Sequence, residues 1–167
     1  MKRNSLDEIY QMYVMDIYRY LRSLCGDHHA AEDLMQETFY RAYLYLEDCK
    51  DEKIKPWLFR VAYNAFVDYK RKEGRSTVQS EEFFIQLAHP DTTESTLLRQ
   101  ERWEEMWVAV GELPDNQRHA LLLHDFHGLS YREASDIMNV GLSQYKILIF
   151  RARQKLREAE RRGNEHE

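Results

Sequence analysis

The sequence predicts an all-α protein, built as two small helical domains joined by a linker. Three observations carry this. The 167 residues contain only 6 Gly and 3 Pro, too few for an all-β chain that must turn roughly every ten residues. Apolar residues recur at three- and four-residue steps along most of the chain, the period of an amphipathic helix. That pattern fails once, between Gly74 and about Ser95, where Ser76, Thr77, Ser80, Pro90, Thr92 and Thr93 are spread among acidic residues. The expected organisation is a domain over 1–73, a linker over 74–98, a second domain over 99–163 and a tail over 164–167.

The first stripe is Ile9, Met12, Tyr13, Ile17, Tyr20, Leu21 and Leu24. Gly26 suits its end and Asp27 suits the N-cap of the next helix. The second stripe is Ala30, Ala31, Leu34, Met35, Thr38, Phe39, Ala42, Tyr43 and Leu46. After a charged loop, Pro56 sits where a first helical turn tolerates it. Trp57, Leu58, Val61, Ala62, Ala65, Phe66 and Tyr69 form the third stripe. Lys70-Arg71-Lys72 close that helix, cations at the negative end of its dipole. The linker carries one anomaly, the apolar cluster Phe83, Phe84, Ile85 and Leu87, which a free linker does not need.

Helical periodicity resumes with Trp103, Met106, Trp107 and Val110, and Leu113-Pro114-Asp115 starts another helix running to Gly128. Ser130 and Glu133 make a capping-box pair for a helix of about nine residues, to Asn139. A short turn over Val140 to Ser143 leads into a long helix reaching about Arg161. Two helices joined in this way are a helix-turn-helix signature.

In the last helix the core stripe is Tyr145, Ile149, Ala152 and Leu156. Between residues 146 and 162 there are seven Lys and Arg against two Glu. The second helix of a helix-turn-helix enters the major groove with its N-terminal residues on base edges. Gln144, Lys146, Ile147, Phe150 and Arg151 lie near that end and off the core stripe. A solvated cationic face on a structural helix is the other reading of the charge run alone. The capped preceding helix and the short turn favour DNA.

Charge and composition exclude several classes. The formal net charge is −5, which argues against coating nucleic acid by bulk charge. Cys25 and Cys49 make no disulfide framework and no paired metal motif, and a reducing cytoplasm is the plain expectation. Apolar runs such as Leu121 to Leu123 and Ile147 to Phe150 are far below the roughly 20 residues of a membrane span. Met1 to Glu8 has no apolar core of a signal peptide. His28, His29, Glu32 and Asp33 lie close in sequence, as do His119, His124 and His127, without the spacing of a zinc site. With no phosphate loop or nucleophile signature in view, neither an enzyme nor a cofactor or metal is expected.

Several segments then resemble one family. Glu112-Leu113-Pro114-Asp115-Asn116-Gln117-Arg118, Leu129-Ser130-Tyr131-Arg132-Glu133-Ala134 and Phe150-Arg151-Ala152-Arg153-Gln154-Lys155-Leu156-Arg157 look like region 4 of bacterial extracytoplasmic-function (ECF) sigma factors. Ala31-Glu32-Asp33-Leu34-Met35-Gln36-Glu37-Thr38-Phe39 is similar to the family's core-polymerase-binding segment. Pro56-Trp57-Leu58-Phe59-Arg60-Val61-Ala62-Tyr63-Asn64 resembles its promoter-melting helix. Order, spacing and two-domain length agree over nearly the whole chain, and the cell-envelope-stress branch is the nearest.

The resemblance implies roles. Asp33, Leu34, Gln36 and Glu37 would bind the clamp coiled coil of the polymerase's largest subunit, with acceptors suited to Arg. Read without the family, Asp33 and Glu37 are ordinary solvated helix charges. Lys53, Lys55, Arg60, Asn64, Arg71 and Lys72 would face the minus-ten element, with a flipped base held by the loop around Glu47 to Lys55. Tyr43, Tyr45, Tyr63 and Tyr69 are aromatic candidates there that read first as core. Lys146, Phe150 and Arg151 match positions that contact the minus-thirty-five element, and Tyr131 and Arg132 would hold phosphates. Where the family usually has a small polar residue and an Arg, this chain has Ile147-Leu148. They meet thymine methyls, are buried by a rotated helix, or reflect a different element. The implied partners are RNA polymerase core, including the flap of its second-largest subunit, promoter DNA, and an anti-sigma factor that is often membrane-anchored, with no membrane insertion of the chain itself. The alternative is a stand-alone helix-turn-helix regulator with an N-terminal dimerisation or sensing domain.

Overall fold

The computed structural model describes residues 5–49, 53–73 and 97–165, and every element among them is helical. The chain divides into two compact units. The Phe83-to-Leu87 cluster falls outside the described residues.

The first unit holds α1 (Leu6–Leu24), α2 (His28–Tyr45), a 3₁₀ turn (Leu46–Cys49) and α3 (Ile54–Glu73). The caps follow the sequence. Ser5 accepts from the Glu8 N–H at 3.3 Å, and Asp27 accepts from the His29 N–H at 3.2 Å, each satisfying a donor that the first turn leaves without a partner. Pro56 lies in the first turn of α3, and Lys70, Arg71 and Lys72 in its last.

All three helix pairs pack together. The core combines Ile9, Ile17, Tyr20, Leu21 and Leu24 with Ala31, Leu34, Phe39 and Ala42, and with Trp57, Leu58, Ala62, Ala65 and Phe66. The stripes are narrower than their periodicity predicts. Met12 is 59% exposed and Tyr43 65%, because a stripe residue is buried only where another helix lies over it. Conversely Phe59, outside the predicted stripe, is fully buried with its ring 5.3 Å from that of Tyr20.

Residues 97–165 form α4 (Leu97–Glu112), α5 (Asp115–Leu121) running on into a π-helical turn (Leu122–Phe126), α6 (Tyr131–Met138) and α7 (Leu142–Glu165). Helix α4 starts earlier than its apolar periodicity indicates, and α7 continues past Arg161. The Ser130–Glu133 capping box forms in both directions: Glu133 N–H to Ser130 Oγ at 3.0 Å, and Ser130 N–H to Glu133 Oε1 at 2.9 Å. Helix α6 ends on Asn139 in the left-handed region, φ 55°. The Val140 N–H returns to the Ser135 carbonyl and the Asn139 N–H to that of Asp136. This pairing is a Schellman motif, and it makes the sharp turn from α6 into α7.

Buried Arg118 ties α5 to the end of α4. It donates to the carbonyls of Val110 (3.3 Å), Gly111 (2.9 Å) and Leu113 (3.0 Å). A cation there satisfies acceptors at the negative end of α4, against a burial that lowers its own pKa.

Candidate functional site

Helix α2 presents an exposed polar face. Asp33, Gln36 and Glu37 are exposed and lie within one turn on the side away from buried Ala31, Thr38 and Ala42. Tyr40 and Leu44, at 58% and 51% exposure, continue the same face. Leu34, grouped with the docking residues in the sequence, is only 6% exposed; its side chain supports the face from inside instead of standing on it. Glu37 is not a bare charge. Its Oε1 accepts from Arg41 Nε at 2.9 Å, and Arg41 Nη1 reaches Asp68 of α3 at 3.0 Å. Partial burial opposes the charge on Arg41, but the hydrogen bonds from Glu37 and Asp68 prevail and raise its pKa.

On α3, Arg60, Asn64 and Arg71 fall at i, i+4 and i+11, one line along the helix opposite buried Leu58, Ala62 and Phe66. Asn64 and Arg71 are exposed and Arg60 half-buried. Lys53 is exposed just ahead of the helix, Lys55 is half-buried in its first turn, and Lys72 is exposed but off that line. Tyr43 and Tyr45, read first as core, stand in solvent at 65% and 55% exposure. Tyr63 and Tyr69 are half-buried, and desolvation raises the pKa of both phenols.

In α7, Tyr145, Ile149 and Ala152 are buried as their spacing predicts. The Tyr145 hydroxyl donates to the Ala120 carbonyl at 2.6 Å. These contacts fix the rotation of α7 about its axis. They leave Gln144, Lys146, Ile147, Phe150 and Arg151 exposed. Leu148 is half-buried, so Ile147 and Leu148 are not both drawn inward.

Behind that surface is a clamp that sequence reasoning missed. Arg153 makes two parallel bonds to Asp125, Nη2–Oδ1 at 2.7 Å and Nε–Oδ2 at 3.1 Å, and Nη1 donates to the Tyr131 hydroxyl at 3.0 Å. The Tyr131 ring packs at 4.4 Å on His124 and 5.7 Å on Tyr145. Tyr131 is thus half-buried and engaged at the start of α6, whereas Arg132 beside it is exposed.

Two family profiles match: Sigma-70 region 2 over residues 9–76 and Sigma-70, region 4 over residues 103–156. The chain is 45% identical over 159 residues to the ECF RNA polymerase sigma factor SigM of Bacillus subtilis, covering 95% of this chain and 97% of that one. The chain belongs to the ECF RNA polymerase sigma factors. It is 31% identical to the sigma factor SigE of Mycolicibacterium smegmatis, over 92% of this chain and 61% of that protein. The sigma factor RpoE of Bartonella quintana, solved in complex with the anti-sigma factor NepR, has the same fold, with TM-score 0.75 and 23% identity over 93% of this chain and 96% of that one.

Membership makes this an alternative sigma factor, in a family of transcription initiation factors. Of the supporting contacts that sequence reasoning missed, the Arg41–Glu37 pair was discoverable from its i+4 spacing. The Asp125–Arg153 pair spans 28 positions and left no local signal. Among the described residues no helix is long and apolar enough to cross a membrane.

Proposed function

We propose that each exposed face has its own partner in initiation. Asp33, Gln36 and Glu37 on α2 dock on the cationic clamp coiled coil of the largest polymerase subunit, with Leu34 holding the helix beneath them. Arg60, Asn64 and Arg71, with Lys53, Lys55 and Lys72 nearby, meet the minus-ten element as it opens. Tyr43 and Tyr45 are exposed aromatic groups, available for stacking on an unpaired base. Helix α7 reads the minus-thirty-five element through Gln144, Lys146, Ile147, Phe150 and Arg151, and Tyr131 and Arg132 hold backbone phosphates at the start of α6. Residues 1–73 and 99–163 act as the two domains and 74–98 as their linker, and the flap of the second-largest polymerase subunit and an anti-sigma factor are further partners.

The observation that carries this reading is the sorting of polar groups by face. Acceptors stand on α2 and donors on α3 and α7, in a chain of net charge −5. Such a protein has little general attraction for DNA, which suits recognition that operates inside polymerase in the cytoplasm. The 45% identity to SigM supports target genes of the cell-envelope-stress class. Anti-sigma control is in keeping with a neighbour of the same fold, a sigma factor solved in complex with the anti-sigma factor NepR.

Promoter duplex titrated with the chain alone and with added core polymerase tests the reading. Specific binding that needs core is the expected result. Tight, specific binding by the chain alone marks a stand-alone regulator and contradicts it.

A further inference from the structure

Two features of α7 have no account in a helix that reads DNA by charge alone. Ile147 is 50% exposed and Phe150 is 63% exposed. They are three residues apart, so they stand side by side on one face. That face lies opposite the buried Tyr145, Ile149 and Ala152. The helix is not free to turn it inward, because the Tyr145 hydroxyl is bound to the Ala120 carbonyl and Arg153 is bound to Asp125 and Tyr131. Exposed Lys146 and Arg151 flank the pair. An apolar pair set between cations complements a polyanion whose interior edge carries an apolar group.

The major groove presents one such group, the 5-methyl of thymine; its other edge groups are hydrogen-bond donors and acceptors. Neither Ile147 nor Phe150 has a polar side-chain atom, so neither can satisfy guanine O6/N7 or adenine N6/N7. Along α7 the two residues are separated by about 4.5 Å, three steps of about 1.5 Å. Stacked base pairs are about 3.4 Å apart. The pair therefore spans two neighbouring base pairs.

We propose that Ile147 and Phe150 are specificity-determining residues that read the methyl groups of thymines at two adjacent positions of the distal promoter element. This rests on the assignment of α7 to that element. Lys146 and Arg151 then supply phosphate or polar edge contacts on either side, and Ile147 selects A·T pairs by apolar contact where a small polar residue would select by hydrogen bonding.

The test uses holoenzyme assembled from the full chain and core polymerase. A template pool randomised in the distal element is selected by transcription, and each thymine of the winning element is then replaced by deoxyuridine, which removes only the methyl. Initiation is expected to fall about fourfold per methyl, the worth of one buried CH₂-sized group, at two adjacent positions. Ile147→Ser should abolish the loss at one of them and Phe150→Ala at the other. Both residues are exposed, and circular dichroism of each variant confirms its fold. Equal use of thymine and deoxyuridine everywhere, in an element that selection shows to be required, overturns the methyl reading and leaves the assignment of α7 standing. Deoxyuridine without effect, together with weaker core binding by Ile147→Ser, shows the patch to face protein and overturns it too. A pool that emerges with no distal preference removes the assignment of α7 and the proposal with it.

Discussion

Arg153 grips Asp125 through two parallel hydrogen bonds, at 2.7 and 3.1 Å, from the last helix to the turn that precedes α6. Together with the 3.0 Å bond to the Tyr131 hydroxyl, it sets the angle between the two helices of the helix-turn-helix. The Asp125 hydrogen bond is the foremost cause holding the Arg153 pKa above its usual value. Both side chains are about one-third exposed, so solvent screens the pair.

Arg153→Ala and Asp125→Ala should therefore show a coupling of about 1 kcal/mol in a double-mutant cycle by denaturant unfolding, the upper range for an exposed pair and helped by the bidentate geometry. Additive single effects, with no coupling, would remove the clamp from the account.

Glu37→Arg should weaken core-polymerase binding about tenfold, ~1.4 kcal/mol, by placing like charges opposite. Because Glu37 also pairs with Arg41 at 2.9 Å, the same change costs the fold about 0.5 kcal/mol. Arg41→Gln is the control: it breaks the internal pair and leaves the carboxylate. Titration of labelled core separates the two, and an equal loss in both variants retires Glu37 as a docking group.

Lys146→Ala should reduce use of the distal promoter element by about 1–3 kcal/mol if its ammonium contacts a base, with relaxed preference at one position. A uniform loss across sequences, with a shallower salt dependence, marks a phosphate contact instead. In vitro initiation on a set of single-position promoter variants distinguishes these outcomes.

Burial pushes the Cys25 thiol up to about 12, well above its usual value of 9.0. In the Cys49→Ser background, Cys25 should resist a disulfide reagent at pH 8 in the native state and react at once in denaturant. The fold holds the proton more tightly than the unfolded chain does, so this contribution is intact below pH 9 and declines as pH rises from 9 towards 12. Fast native reaction at pH 8 would show that the site opens.

The all-α class, the cap at Asp27, the capping box at Ser130 and the core rotation of α7 were legible because each depends on residues within four positions of one another. The Tyr145–Ala120 and Arg153–Asp125 bonds join residues 25 and 28 positions apart, and local periodicity carries no trace of them. The exposure of Met12 and Tyr43 was illegible for a related reason. An apolar stripe records what one helix can bury, and burial depends on how far its neighbours extend over it. On α3 the polar residues were found by type, but their alignment into the line Arg60, Asn64 and Arg71 emerges only once the helix is placed against its core.

Run-off transcription with purified core polymerase tests the central claim most directly. Core alone should give no specific transcript from promoters of the cell-envelope-stress class, and core with this chain should give one that starts at a fixed site. The absence of any specific transcript from such promoters, with an active core, would contradict the account.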